Sequence, residues 1–204
     1  MATMDKTGLS KLIQEQAISL FRRNGYDQVT VKDICRTAGT TKPTFYKLAT
    51  SKADLLRSHY RTGLEELSGS AFIPDEDGSW AHAIRRYLIR VLNVLTAENY
   101  DLTAALMMSN LQDQSGLPLI AETVRERVKE MTEQGQKCGE IPADCSASVL
   151  SDTLVSLTEG FISYWALHEG EPRAQQELDH CLRSVLFPVQ PSSEEESAAE
   201  RTLN

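Results

Sequence analysis

The sequence predicts an all-α protein in which an N-terminal three-helix helix-turn-helix domain precedes a larger helical domain, with about nine helices in total. Three observations support this fold class. Apolar residues recur with the helical period along most of the chain, no segment alternates as a strand would, and the first fifty residues hold short, capped helices separated by glycine turns. With 204 residues, 41% of them hydrophobic, the chain can form a small module and a larger core.

The N-terminal module begins with two predicted helices. Periodic apolar residues indicate a helix from Lys11 to Asn24 that ends at Gly25, because glycine suits the left-handed stop of a helix. Thr30 is a good N-cap for the second helix, and Asp33 three residues later completes a capping-box pair. Gly39 ends this second helix after about two turns.

The third helix is predicted over about residues 41–48. Thr40 and Thr41 are both candidate N-caps, and Pro43 fits the first turn, where its missing N–H costs little. Helices of two turns are unstable alone in water, so the three helices must pack together. Such an arrangement is typical of three-helix modules that read DNA.

Charge is divided unevenly along the chain. The net charge is −8, yet residues 1–60 hold ten Lys/Arg against five Asp/Glu, whereas the remainder holds eleven against twenty-four. A basic module on an acidic body can approach phosphates in one orientation only. This partition favours a nucleic-acid partner for the N-terminal module.

The outward face of the third helix carries side chains that suit DNA. With Phe45 and Leu48 inward, the other face presents hydroxyls and amines, and residues 40–48 include no acid. Thr44 can reach base edges or a thymine methyl, and Lys42 can reach guanine or phosphate. The predicted DNA-binding residues are Thr30, Thr40, Thr41, Lys42, Thr44, Tyr46, Lys47 and Lys52. There are two alternative interpretations. The third helix could be a basic surface helix without a DNA partner, and Thr30 could only cap its helix.

Several short segments occur here in the order and spacing of a known family. They are Phe21-Arg22-Arg23-Asn24-Gly25-Tyr26, Thr30-Val31-Lys32-Asp33-Ile34, Ala38-Gly39, Lys42, Thr44-Phe45-Tyr46 and Ser51-Lys52-Ala53-Asp54-Leu55-Leu56. From about Lys11 to Tyr60 the chain resembles the TetR family of transcriptional regulators. The resemblance implies a homodimer that binds palindromic double-stranded DNA and leaves it when a small molecule enters the larger domain. It also implies repression, the role of most members.

The chain departs from the family pattern at two places. Pro43 stands where the family usually has glycine, which should stiffen the start of the recognition helix. Leu48-Ala49 stands where the family usually has His-Phe, so packing against the fourth helix should differ.

The larger domain is predicted to contain six helices. Ser51 and Asp54 form a capping-box pair that opens a helix to about Leu67. The others are predicted at Trp80 to Leu95, Asp101 to Gln112, Pro118 to Gln136, Ser146 to Glu169 and Pro172 to Phe187. The domain boundaries are then 1–50 for the DNA-binding domain, 51–188 for the regulatory and dimerisation domain, and 189–204 for a disordered acidic tail.

The last two long helices are the predicted dimer surface, because they are too apolar for a solvated face. The residues assigned to it are Leu150, Leu154, Leu157, Phe161, Leu178, Leu182 and Val185. An intrachain core is the alternative interpretation of the same pattern.

A pocket for an unknown small-molecule effector is expected among the middle helices. Its candidate residues are Trp80, Tyr87, Met107, Met108, Phe161, Tyr164 and Trp165, any of which could instead be core. The histidines are scattered and no C-x-x-C pair occurs, so we expect no metal site and no cofactor.

The sequence bears on three classes of function: an enzyme, a DNA-binding regulator and an adaptor. Motifs for nucleophilic, phosphate-binding or zinc chemistry are absent from the sequence, which argues against an enzyme and predicts no catalytic residues. A ligand-responsive DNA-binding regulator fits best, and the alternative is a helical adaptor whose basic N-terminal helices do not read DNA. Without a signal peptide or an apolar segment of about 20 residues, a cytoplasmic protein with no membrane contact is expected.

Overall fold

The computed structural model describes residues 6–69, 78–112, 120 and 122–187. Over these residues the chain forms nine helices and no strand, which confirms the all-α prediction. The helices are α1 (Lys6–Asn24), α2 (Val31–Thr37), α3 (Lys42–Tyr46), α4 (Lys52–Ser68), α5 (Trp80–Leu95), α6 (Tyr100–Gln112), α7 (Glu122–Lys137), α8 (Ala147–Leu167) and α9 (Arg173–Leu186).

Helix α1 begins five residues earlier than the sequence predicts. Its buried face includes Ile13, Ala17 and Phe21, in agreement with the predicted period. The added turn at Lys6 is polar, but Leu9 within it packs against the core, which holds the turn to the module. Periodicity alone misses such a turn, because one apolar residue does not define a repeat.

The turns of the module form where glycine was predicted to end each helix. Gly25 and Gly39 have φ values of +80° and +62°, in the left-handed region that favours glycine. Thr30 caps α2 with a complete capping box, as predicted. At the start of α4, Ser51 caps the helix, but the Asp54 carboxylate binds Thr50 rather than Ser51.

Helix α3 is shorter than the predicted span of 41–48. After Tyr46 the chain continues as turns, in which the Lys47 N–H donates to the Thr44 carbonyl and the Leu48 N–H to Phe45. The half-buried Leu48 packs against the core beside the buried Ala49, at the two positions where the chain departs from the family pattern.

Helix α5 forms the centre of the larger part. It packs against α4, α7, α8 and α9, and its buried side chains include Tyr87, Leu88 and Leu92. Helix α4 contacts both α1 and α5, so it joins the N-terminal module to the rest of the chain. Because α4 contacts helices on both sides of the predicted domain boundary, the division between residues 50 and 51 stays a proposal.

Some predicted features fall on residues outside the described ranges. They are most of the loop between α4 and α5, the start of the helix predicted from Pro118, and the tail at 189–204. Among the described helices, none has the length and hydropathy needed to cross a membrane.

Candidate nucleic-acid interface

Helices α2 and α3 pack against each other around two fully buried side chains. Ile34 of α2 and Phe45 of α3 have no exposed surface. The Phe45 ring meets the Tyr46 ring edge to face, with 5.3 Å between centroids. Because Phe45 is fixed in the core, the side chains around it on α3 are held outward in a defined orientation.

Thr41, and not Thr40, caps α3. The Thr41 hydroxyl accepts from the Thr44 N–H at 3.4 Å, and the two hydroxyls lie 3.0 Å apart. Thr40 instead helps to close α2, since its N–H donates to the Cys35 carbonyl at 2.9 Å. Pro43 lies in the first turn of α3, as predicted, where it removes no intrahelical hydrogen bond.

The exposed face of α3 is basic and polar. Lys42, Tyr46 and Lys47 are exposed, and 56% of Tyr46 is open to solvent. Thr41 is exposed and Thr44 is half-buried beside it. We call Thr41, Lys42, Thr44, Tyr46 and Lys47 the reading face. It can donate hydrogen bonds and present positive charge to an anionic partner, and it carries no acid.

Helix α2 adds a cation, Arg36, that is not among the predicted DNA-binding residues. The Arg36 guanidinium is 74% exposed and pairs with Asp33 at 2.9 Å. Asp33 also accepts from the Thr30 hydroxyl and N–H, and these hydrogen bonds lower the pKa of its carboxyl group. Thr30 therefore uses its side chain within the cap, and any phosphate contact by Thr30 stays a prediction.

Lys52 has a structural role that differs from its predicted one. Its ammonium donates to the carbonyls of Tyr26 and Val29, at 2.7 and 3.1 Å, and lies 4.1 Å from the centre of the Tyr26 ring. Burial lowers the pKa of Lys52. Two of its three N–H donors are occupied, so Lys52 stabilises the turn between α1 and α2 and is not free for phosphate in this conformation.

A cluster of ionic groups joins α1 and α4 to the segment between α5 and α6. Arg22 of α1 binds both carboxylate oxygens of Glu98 at 2.5 Å, and His59 of α4 lies 3.1 Å from the same carboxylate. Asn99 donates to the Arg22 carbonyl at 3.3 Å. We call Arg22, His59, Glu98 and Asn99 the junction cluster. Nothing in the sequence pairs these residues, which are up to 77 positions apart.

The structure places the predicted effector-pocket residues on three helices, α5, α6 and α8. Trp80 lies beside Gly135 near the end of α7, whereas Trp165 lies beside Gly170 after α8. Tyr87 is fully buried and its hydroxyl meets that of Ser68 at 2.8 Å. Met107, Phe161 and Trp165 are half-buried, and Met108 and Tyr164 are exposed. Four clefts between described residues, with volumes of about 330 to 510 Å³, are lined by other residues. The assignment of these seven residues to one effector pocket stays a prediction.

Three of the predicted dimer contacts are wrong. Leu154, Leu178 and Leu182 are 0% exposed within the single chain, so they have no surface to offer a second copy. They form an intrachain core where α8 and α9 pack together. The other four keep some exposure: Leu150, Leu157 and Phe161 are half-buried, and Val185 is exposed.

Comparison with known proteins agrees with this arrangement. Residues 13–58 match the family described as "Bacterial regulatory proteins, tetR family". The HTH-type transcriptional repressor ComR of Escherichia coli is 28% identical over 159 residues, covering 72% of this chain and 74% of ComR. Among solved structures, Thermus thermophilus FadR, a TetR-family repressor in complex with lauroyl-CoA, superposes with a TM-score of 0.73. It is 20% identical, over 90% of this chain and 97% of that one.

A second structure gives the same fold. Bacillus subtilis FadR in complex with stearoyl-CoA has a TM-score of 0.62 and 16% identity, over 88% of this chain and 99% of that one. The helix-turn-helix module, the exposed face of α3 and these similarities define a DNA-binding transcriptional regulator. Its N-terminal module, residues 13–58, is that of the TetR family of bacterial regulators, and the described chain shares the fold of TetR-family structures.

Proposed function

We propose that the chain is a repressor that reads a palindromic operator as a homodimer and releases it when a small molecule binds the larger domain. The observation that carries this proposal is the reading face of α3, which is exposed, basic and free of acids within a helix-turn-helix module. The name of its relative ComR, a transcriptional repressor, supports the direction of regulation.

The residues of the reading face fall into two groups, according to whether they can contact base edges or phosphates. Lys42 and Thr44 lie in the first turn of α3, where a recognition helix presents side chains to base edges. Tyr46 and Lys47 at the end of the helix suit phosphate oxygens. Arg36 on α2 is a further phosphate candidate, because its guanidinium is exposed next to α3.

The dimer surface is better assigned to the exposed side of α8 than to its buried leucines. One strip of this helix, which we call the α8 strip, consists of Val149, Thr153, Ser156, Gly160, Tyr164 and Leu167. Its members are small or apolar and none is charged. Leu167, an apolar side chain, is nevertheless 76% exposed to solvent. Small uncharged side chains allow close packing of a second helix, so the strip supports a symmetric contact across a two-fold axis.

The effector is a small molecule bound in the larger domain. Two structural neighbours carry acyl-CoA ligands, which supports testing acyl-CoA esters among the first compounds.

The three residue ranges predicted from the sequence, 1–50, 51–188 and 189–204, are retained as the proposed domains.

Selection of bound sequences from random duplex DNA tests the proposed function. We expect one palindrome to be enriched, and binding to it should weaken steeply as salt rises, because phosphate contacts release counterions. A chain that prefers no sequence over random duplex would contradict the proposal and favour the adaptor function instead.

A further inference from the structure

The DNA-binding module, α1 to α3, is attached to the rest of the chain through α4 and also through α1. Helix α4 packs against α1 on one side and against α5, α6 and α7 on the other. The junction cluster adds a direct contact, in which Arg22 near the end of α1 meets Glu98 between α5 and α6. A module held by one helix alone can tilt on that helix. A second attachment through α1 restricts this tilt.

The contact between Arg22 and Glu98 fixes a direction as well as a distance. The Nε and Nη2 atoms of Arg22 each donate to a different oxygen of Glu98, both at 2.5 Å. Paired hydrogen bonds of this kind hold the two planar groups in one relative orientation. His59 of α4 lies 3.1 Å from the same carboxylate, and the Glu98 side chain is only 8% exposed. Glu98 therefore binds α1 and α4 at once, largely shielded from water.

The residues after Glu98 extend this contact to the turn that follows α1. Asn99 donates to the carbonyl of Arg22, one of the last carbonyls of α1, which a helix leaves without partners of its own. Asp101, in the first turn of α6, places its Oδ2 atom 3.7 Å from the position that a Cβ on Gly25 would take. The Oδ1 atom of Asp101 is buried and has no hydrogen-bond donor among the described residues. Such an atom costs free energy, so stability alone does not explain the contact.

The orientation of the module decides where the reading face lies. In a dimer on a palindrome, two recognition helices enter major grooves at a fixed separation, so a tilt of each module changes the half-site spacing that fits. The segment with Glu98, Asn99 and Asp101 leads into α6, which packs against α8. The junction cluster thus connects the module to the helix that carries the proposed dimer surface.

We propose that Glu98 is a positioning residue that holds the DNA-binding module, through Arg22, at the angle that sets the spacing between the two half-sites of the operator. This proposal rests on the proposed function, because only a dimer on a palindrome has a half-site spacing. It assigns part of the DNA specificity to a buried carboxylate outside the reading face. The reading face selects the bases of each half-site, and the junction cluster selects the distance between the half-sites.

The test compares Glu98→Gln with the control Glu159→Gln in the full chain. Both changes replace a carboxylate by an amide of similar size. Glu159 also accepts from an arginine, Arg125, and from a backbone N–H, that of Ile120, each at 3.2 Å, but it lies on α8 within the larger part. Thermal unfolding and sedimentation establish that each variant folds and associates as the wild type does. Arg22→Lys, which keeps the charge but loses the paired hydrogen bonds, replaces Glu98→Gln if that variant does not fold.

Each protein is titrated with duplexes that carry the half-sites of the selected palindrome at the selected spacing, or one or two base pairs closer or farther apart. A duplex with a single half-site is measured in parallel. For the wild type and the control we expect affinity to fall roughly tenfold or more when the spacing changes by two base pairs. For Glu98→Gln we expect a fall of about threefold or less, with binding to the single half-site within about twofold of the wild type.

A loss of stability alone would lower binding to every duplex by the same factor, so affinity plotted against spacing would keep its shape. That result for Glu98→Gln would overturn the positioning role. An equally flattened profile for Glu159→Gln would do the same, because the effect would then not depend on the junction cluster.

Hydrogen exchange of the free protein gives a readout that needs no DNA. In Glu98→Gln, amides at the end of α1 and in the first turn of α6 should exchange roughly tenfold faster than in the wild type, and those of α8 should not. If the wild type selects no palindrome, the proposed function and the role in spacing fail together, and exchange then decides whether the junction cluster holds the module. If the wild type selects a palindrome and Glu98→Gln keeps its preference for one spacing, the proposed function stands and the positioning role is wrong.

Discussion

At the scale of single residues, the orientation of the reading face depends on one side chain. Phe45 fills the centre of the module, and its neighbours Thr44 and Tyr46 are held on either side of it. Short-range packing of this kind explains why the sequence could assign the exposed residues of α3 correctly. It also means that substitutions on the reading face should change DNA binding and leave the fold intact.

Lys42→Ala and Tyr46→Phe should both weaken binding to the selected palindrome. We expect a loss of about 1–3 kcal/mol for Lys42→Ala if it contacts a guanine, and about 1 kcal/mol for the lost hydroxyl of Tyr46. Fluorescence anisotropy with labelled duplex measures the affinity, with Lys129→Ala on α7 as the control. Loss of the dimer in either variant would show that these side chains are not on the DNA-facing surface.

Glu98→Gln should destabilise the protein by about 1–2 kcal/mol, because it removes the carboxylate that holds Arg22 and His59. The side chain of Glu98 is only 8% exposed, so solvent screens this cluster less than a surface pair. Glu65→Gln is the control: its exposed pair with Arg61, at 3.7 Å, should contribute less than about 0.5 kcal/mol. Urea unfolding of both variants gives the comparison, and equal losses would contradict a special role for Glu98.

The junction cluster also predicts a dependence on pH. The hydrogen bonds from Arg22, followed by His59, lower the pKa of Glu98 below the unfolded value of 4.5. A lowered pKa in the folded state means that the carboxylate stabilises the fold above pH 4.5 and that this contribution is lost as pH falls below it. Stability of the wild type should therefore fall more than that of Glu98→Gln in this acid range. Parallel losses in the two proteins would assign the acid sensitivity to other groups.

At the scale of elements, the short helices of the module depend on their caps. Helix α2 has seven residues and α3 has five, lengths at which an isolated helix does not persist in water. Thr30 and Thr41 each satisfy a backbone N–H at the start of their helices, and Gly25 and Gly39 allow the chain to reverse. Pro43 fits the first turn without disturbing either cap, which reconciles this departure from the family pattern with a regular α3.

Thr30→Ala should destabilise the protein by about 1 kcal/mol, because it removes both hydrogen bonds of the side chain in the capping box. Thr37→Ala is a matched control, since Thr37 is an exposed threonine at the other end of the same helix. Thermal unfolding of the two variants distinguishes the effect of the cap from that of threonine itself. A loss of similar size at Thr37 would mean that the capping box adds little to stability.

At the scale of the whole molecule, the uncharged α8 strip contrasts with the acidic character of the larger part. The buried leucines of α8 and α9 stabilise the single chain, and the strip on the other side of α8 is left exposed. The strip exposes the apolar side chains of Val149, Tyr164 and Leu167 without a charged member, and exposed apolar groups that lie together are typical of a protein interface. The two faces of α8 would then have different functions, one within the chain and one between chains.

Gly160→Arg tests the dimer surface with little effect on the single chain. A Cβ placed at Gly160 meets no atom within 4 Å, so an arginine fits the free chain but would obstruct a second helix. We expect this variant to sediment as a monomer, whereas the control Gln134→Arg, at an exposed position of α7, should stay dimeric. A Gly160→Arg protein that sediments as a dimer would place the interface elsewhere.

The sequence by itself determined the features that depend on neighbours within a few residues. Helical period, caps and glycine stops correctly predicted the all-α fold, the boundaries of α5 and the exposed side chains of α3, because each depends on local backbone chemistry. The tertiary structure decided which apolar residues of α8 and α9 are core, that Lys52 binds carbonyls of the α1–α2 turn, and that Arg22 meets Glu98. These outcomes follow from contacts between distant segments, which no periodicity along the chain can specify.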